Sequence, residues 1–166
     1  MQQFTSAYEL HKYLEQKRSE GCSVGFVPTM GALHRGHMAL IERALRENDV
    51  VVCSIFVNPT QFNNAEDLTH YPRTLAADSA LLEEAGCSAV YLPDVIEMYP
   101  NGLQIKSTTL DGLDCVMEGA HRPGHFDGVV TIVRRLFEQI SPNRAYFGTK
   151  DYQQLLIIKK LVSVEA

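Results

Sequence analysis

Apolar positions along this chain switch between two periods. Val129, Ile132, Val133, Leu136, Phe137 and Ile140 fall at i, i+3, i+4, i+7, i+8 and i+11, which is one stripe of a helix. Val50 to Val57 is instead continuous and β-branched, as in a strand covered on both faces of a parallel sheet. Ser23 to Pro28 and Ser88 to Leu92 are similar short runs, the second ended by Pro93. Met38, Ile41 and Leu45 mark a helix between the first two runs, and Leu75 to Ala85 marks another, closed by Gly86 as an αL stop. Before them, Ser6 and Glu9 fit a capping box, and Leu10, Tyr13 and Leu14 continue a helix to about Ser19. Asn58 to Tyr71 reads as a long polar loop, Gln104 to Leu110 as a strand, and Arg144 to Phe147 as another strand. Asp151 is then placed to cap a last helix through Leu161. Strands alternating with helices predict an α/β fold, a parallel sheet with helices on both faces. Neither a repeat nor a linker interrupts the pattern, so one domain is expected.

Composition narrows the setting. At 166 residues, 45% hydrophobic and 21% charged, the chain can bury a real core without staples. A net charge of −5 with neutral histidines argues against a nucleic-acid partner or adhesion to an anionic membrane. The apolar run Val50 to Val57 is too short to span a bilayer, and no signal peptide is visible. Cys22, Cys53, Cys87 and Cys115 form no CxxC pair, so they are expected to be small buried hydrophobes in a reducing, cytoplasmic compartment.

Candidate chemistry gathers where the strands end, since ligands of open α/β sheets bind beyond the strand carboxyl ends. Pro28 to His37 is neither a G-x-G-x-x-G fingerprint nor a G-x-x-x-x-G-K-[ST] loop. It offers His34-x-Gly36-His37 at a helix start, where two imidazoles could donate hydrogen bonds to a phosphate gaining charge. The plain alternative is surface histidines and turn-shaping glycines. A metal reading has two ligands at i, i+3 and no nearby third. Asn58 and Gln61 could bind hydroxyls or a carboxylate, although Asn-Pro is also simple turn chemistry. After the Arg144 strand, Lys150 could meet phosphate, Asp151 could cap the helix or touch a Mg²⁺-nucleotide, and Gln154 would face back one turn later. Arg122, with His121 and His125, sits in a Pro/Gly loop as a carboxylate or phosphate ligand or as a solvated charge.

Five blocks, Pro28-Thr-Met-Gly-Ala-Leu-His-Arg-Gly-His37, Phe56-Val-Asn-Pro-Thr-Gln-Phe62, Tyr71-Pro-Arg-Thr74, Arg122-Pro-Gly-His-Phe126 and Phe147-Gly-Thr-Lys-Asp-Tyr-Gln-Gln154, resemble the pantothenate synthetase (pantoate–β-alanine ligase) family. They occur in the family's order and cover essentially the whole chain. The resemblance implies a Rossmann-like, nucleotidyltransferase-type sheet with a HIGH-like signature. It also implies ATP-dependent condensation of (R)-pantoate with β-alanine, serving pantothenate and coenzyme A biosynthesis. Pantoate's carboxylate would attack the α-phosphate of Mg²⁺-ATP to give pantoyl adenylate and pyrophosphate, and β-alanine would then displace AMP. Carried onto matching positions, Met30, Gly31, Ala32, Leu33, His34, Arg35, Gly36 and His37 would line the ATP site. His37 would be the proton donor to phosphate, with His34 beside it. Gly148, Thr149, Lys150 and Asp151 would contact ATP, Lys150 most directly and as a catalytic group. Gln61 and Gln154 would hold pantoate, with Asn58, Tyr71 and Arg122 as further substrate contacts. Asp78 is a candidate Mg²⁺ ligand.

The chain departs from the family pattern twice. Thr149 stands where the family more often has Glu or Gln, and the chain stops at Leu161-Val-Ser-Val-Glu-Ala166, where the family continues into a C-terminal lid with a KMSKS-like motif. Residues 1–166 are therefore expected to be the N-terminal nucleotide- and pantoate-binding domain, a homodimer by resemblance, turning over poorly without the lid. Two other readings stay open: a nucleotidylyltransferase that keeps the adenylyl group on its product, and a non-catalytic nucleotide-binding module. An aminoacyl-tRNA synthetase fragment is disfavoured by the acidic balance.

Overall fold

Two apolar runs, Val24–Thr29 and Val50–Ile55, form the central strands β2 and β3 of a five-stranded sheet in the computed structural model, which describes residues 1–105 and 108–165. They pair in parallel, Val24 opposite Val50 through Thr29 opposite Ile55. β4 (Ala89–Tyr91) lies outside β3, β1 (Gln2–Phe4) outside β4, and β5 (Arg144–Ala145) on the far side of β2, every pairing parallel. The chain thus winds outward from β2 through β3 to β4, then crosses back to place β5 on the other flank of β2. That reversal puts the topological switch point at the carboxyl ends of β2 and β5.

Alternation along the strands divides the core between two faces. Phe26, Val52 and Tyr91 pack with α1 (Ala7–Ser19), α7 (His125–Ile140) and α8 (Tyr152–Glu165). Val27, Val51, Cys53 and Val90 pack instead with α2 (Arg35–Glu47) and α4 (Leu75–Glu84). The parallel α/β architecture and the extended runs are therefore as the hydrophobic pattern predicts. No helix among the described residues is long and apolar enough to cross a membrane.

Several expectations are corrected. β1 was not expected, because Gln2-Gln3-Phe4 carries no apolar alternation; it forms by pairing with β4. Ser6 does stand at the N-cap of α1, yet its side chain makes no cap bond. The Ala7 N–H is taken instead by the Glu97 carboxylate at 2.6 Å, reaching over from α5 (Val95–Met98). The polar stretch after β3 is not a plain loop. It contains a 3₁₀ turn, Pro59–Gln61, and α3 (Ala65–His70), which Asn64 caps by accepting the Glu66 N–H at 2.9 Å. No residue of α3 is buried, so no apolar stripe betrays it. Of the strand expected at Gln104 to Leu110, residues 104–105 and 108–110 are not strand, and Lys106 and Ser107 lie outside the described residues. The loop before α7 includes α6 (Met117–His121). Cys53 and Cys87 are buried, with burial pushing the Cys87 thiol up to about 11, but Cys115 is exposed and Cys22 only half-buried.

Candidate active site

The segment leaving β2 is shaped by backbone conformation before any side chain acts. Gly31 has φ +84° and Ala32 φ +50°, so the chain turns sharply in the left-handed region that alanine visits only at a cost. Asp78 of α4, 2% exposed, compensates. Its Oδ2 accepts the Ala32 N–H at 2.9 Å and its Oδ1 the Leu33 N–H at 2.8 Å, while Thr74 donates its hydroxyl at 3.1 Å. Both oxygens are therefore committed to the turn, and Asp78 is not placed as a free Mg²⁺ ligand. Among the described residues no group of three or more His, Cys, Asp or Glu could hold a metal ion.

The turn delivers His34 and His37 to the start of α2 as a reciprocal cap. His34 Nδ1 accepts the Gly36 N–H at 3.0 Å, and His37 Nδ1 accepts the His34 N–H at 3.4 Å. The rings lie 4.1 Å apart between centroids. A backbone N–H can only donate, so each Nδ1 is an acceptor and each neutral ring carries its proton on the distal Nε2. Gly36 is required for this fold-back, since a Cβ there would stand 2.9 Å from the His34 Cε1.

Two joined cavities of about 440 Å³ and about 280 Å³ open beyond the carboxyl ends of β2 and β5, sharing Met30, Gln61, Tyr71, Asp151 and Gln154. The inner one takes His34 and His37 on one wall, the Gln61 and Gln154 amides on another, and an apolar floor of Phe56, Val129, Val133, Leu136 and Phe147. Lys150, Arg122, Glu118 and His125 line the outer one. The structure thus brings together His34, His37, Met30, Asn58, Gln61, Gln154, Tyr71, Lys150, Asp151 and Arg122. Ala32, Leu33, Arg35, Gly36, Gly148 and Thr149 do not line either of these two cavities, and Gly31 lines a neighbouring one of about 360 Å³. Arg122 is paired with Glu118 at 3.1 Å. Asp151 stands at the N-cap of α8, its carbonyl accepting the Leu155 N–H at 3.0 Å. The Val129, Val133 and Leu136 floor was legible only as core stripe, because a helix face that lines a cavity has the same periodicity as one that packs.

Gln61 is seated from below. Its carbonyl accepts from His125 Nδ1 at 2.8 Å, and its side-chain Oε1 accepts from Asn58 Nδ2 at 3.2 Å. Asn58 itself is 1% exposed and lines the same cavity beside Gln61, with its amide already bonded to Gln61 and to the Gly128 carbonyl.

Burial, and then the neighbouring His34, hold the His37 pKa below that of free histidine, with Asp78 and Asp151 pulling the other way. Burial also lowers the pKa of His125, with Arg122 adding to it against the opposing Gln61 bond and Glu118. A depressed folded-state pKa means that the folded chain binds fewer protons than the unfolded one. The stability that these groups contribute is present above the free-histidine value and is lost as pH falls through the folded values. We expect NMR titration to place both rings below free histidine, and the melting temperature to fall from pH 7.5 to 5.5. A slope unchanged in His125→Gln would refute the assignment to that ring.

Comparison with known proteins follows the same line. The family profile described as pantoate–β-alanine ligase matches residues 2–165. The pantothenate synthetase of Aquifex aeolicus is 54% identical over 159 residues, covering 96% of this chain and 56% of its own length. That of Porphyromonas gingivalis is 49% identical over 164 residues, covering 99% and 58%. The crystal structure of pantothenate synthetase from Thermus thermophilus superposes with a TM-score of 0.90 at 52% identity, covering 98% of this chain and 57% of that one. A pantoate–β-alanine ligase from Francisella tularensis, solved in complex with a β-γ ATP and β-alanine, gives 0.91 at 42% identity, covering 98% and 62%. The chain spans a little over half the length of the curated relatives it matches.

Proposed function

The chain belongs to the pantoate–β-alanine ligase family, and from that premise we propose that residues 1–166 form the nucleotide- and pantoate-binding half of an ATP-dependent ligase joining (R)-pantoate to β-alanine. The observation that carries this reading is the capped histidine pair: both Nδ1 atoms accept backbone N–H groups, which leaves two Nε2–H donors at a helix start. Such donors suit an α-phosphate whose charge grows as pantoate's carboxylate attacks and pyrophosphate departs. A depressed His37 pKa does not weaken that role, because a neutral ring still donates from Nε2. Lys150 at the rim adds a point charge for phosphate.

Pantoate carries a carboxylate, two hydroxyls and a gem-dimethyl group. The inner cavity matches this mixture, with Gln61 and Gln154 for the oxygens and Val129, Val133 and Phe147 for the methyls. The β-alanine amine would then attack the acyl carbon of the adenylate, and AMP would leave. Arg122 and Glu118 of the outer cavity, paired with each other here, would part to meet the second substrate's carboxylate and ammonium. Adenylation supplies the leaving group, so the protein needs positioning and charge stabilisation rather than a covalent nucleophile. Mg²⁺ would accompany the nucleotide through its phosphates. The lid of the family would lie in the part of the relatives beyond the matched stretch, and a cytoplasmic homodimer rests on the family likeness alone.

Calorimetry with ATP and with pantoate tests the reading, together with AMP release with both substrates. Pantoate binding should be lost in Gln61→Ala and kept in His37→Ala. AMP release should require β-alanine, both alone and after appending the remaining length of a relative. Adenylyl retained on the product would favour the nucleotidylyltransferase reading instead.

A further inference from the structure

Asn58 is wired so that its amide can take only one orientation. Its Oδ1 faces the Thr60 backbone N–H at 3.4 Å, and its Nδ2 faces the Gly128 carbonyl at 3.1 Å. The first of those groups can only donate and the second can only accept, so an exchange of O and N would break both bonds. Tyr99, 4% exposed, closes the arrangement by donating its hydroxyl to the same Oδ1 at 2.7 Å, and the Thr60 hydroxyl joins it at 3.1 Å. The Arg135 guanidinium lies 5.9 Å over the Tyr99 ring and holds that ring in place.

The consequence passes to Gln61. Because Asn58 Nδ2 is a donor, the Gln61 atom 3.2 Å from it must be the acceptor Oε1. The two N–H groups of Gln61 are then turned the other way, where Met30 Sδ, a weak acceptor, lies at 2.9 Å. A glutamine free to rotate its amide would serve acceptors and donors equally; this one is set to serve acceptors.

We infer that Tyr99 and Asn58 are positioning residues for substrate recognition: they lock the Gln61 amide with its N–H donors toward the cavity, so the site favours a carboxylate, which accepts on both oxygens, over a primary amide, which accepts on only one, or an ammonium, which only donates. This deepens the proposed pantoate site and rests on that reading for the identity of the ligand. Tyr99 lines neither of the two cavities of the cleft, so its influence on ligand choice is transmitted through Asn58.

The test compares the Kd of pantoate with that of its primary carboxamide by calorimetry, in the unaltered chain, in Tyr99→Phe and in Asn58→Ala. Tyr99→Phe keeps the ring and its place under Arg135, so the fold is retained. The preference for pantoate is expected to narrow about threefold in Tyr99→Phe and about tenfold in Asn58→Ala, the range of one or two hydrogen bonds. An unlocked Gln61 can present Oε1 to the carboxamide, so the ratio moves. Equal weakening of both ligands, or an unchanged ratio, would overturn the proposal. NMR of the free chain reads the lock without any ligand: the Gln61 side-chain N–H protons should show contacts to the Met30 methyl, weakened in Asn58→Ala. If the unaltered chain binds neither ligand, the pantoate reading fails, and the presence or absence of those contacts still decides for or against the lock.

Discussion

Asp78→Ala is expected to destabilise the chain by ~2–4 kcal/mol, since hydrogen bonds to a charged group are each worth roughly 1.5–3 kcal/mol and part of that is recovered when water reaches the turn. In a chain of this size the melting temperature should fall by roughly 5–15 °C. The carboxylate is 2% exposed and takes the Ala32 and Leu33 N–H groups, one on each oxygen. Without it, the turn loses the two bonds that offset an alanine held at φ +50°. The function should suffer as well, because His34 follows directly: its backbone N–H sets the tautomer of His37, and its ring accepts from Gly36. A second readout separates this from loss of fold: Asp78 holds the His37 pKa up, so in the variant that pKa should drop further. Asp78→Asn keeps one acceptor and presents an NH₂ to the other donor, and should fall between the two. A variant with an unchanged melting temperature and an unchanged His37 titration would show that the turn holds itself.

The role of Asp78 also marks how far the sequence could be read. Elements with a long apolar pattern were legible: the α7 stripe and the β2 and β3 runs hold the core as expected. Elements that owe their existence to a partner were not. β1 is three residues recruited by β4, and α3 has no buried residue to leave a trace. The site divides in the same way. His34, His37, Gln61, Lys150 and Gln154 line one cleft and were legible as candidates because they follow strands, and a strand end is a position that sequence reveals. What Asp78 and Asn58 are bonded to was not legible: Asp78 reads locally as a candidate metal ligand and Asn58 as a substrate contact. Their partners lie 45–46 and 70 residues away in sequence, and nothing local states whether a carboxylate or an amide is already engaged. Tyr99 and Gly128 were not suspected at all, for the same reason.

Gly128→Ala should act almost wholly on the ligand. Gly128 lies within α7, where the 3₁₀ turn Pro59–Gln61 rests directly on the helix. A Cβ there would stand 2.5 Å from the Thr60 carbonyl oxygen, 2.7 Å from its carbon and 2.9 Å from the Gln61 nitrogen. All three are backbone atoms, so no side chain can swing aside and the turn itself must lift. Overpacking of this kind costs about 1–3 kcal/mol, but alanine in a helix interior recovers ~1 kcal/mol relative to glycine. Net stability should therefore change little. The lifted turn carries Asn58 and Gln61 with it, stretching Asn58 Nδ2 from the Gly128 carbonyl and Gln61 from the His125 ring. A displacement approaching 1 Å can reduce activity by about 100-fold. Pantoate affinity is expected to fall roughly 10- to 100-fold in calorimetry, with the nucleotide's affinity nearly unchanged because the histidine cap sits on α2. Equal losses for both ligands would instead mean that α7 itself had shifted, since it supplies the shared floor of the cleft.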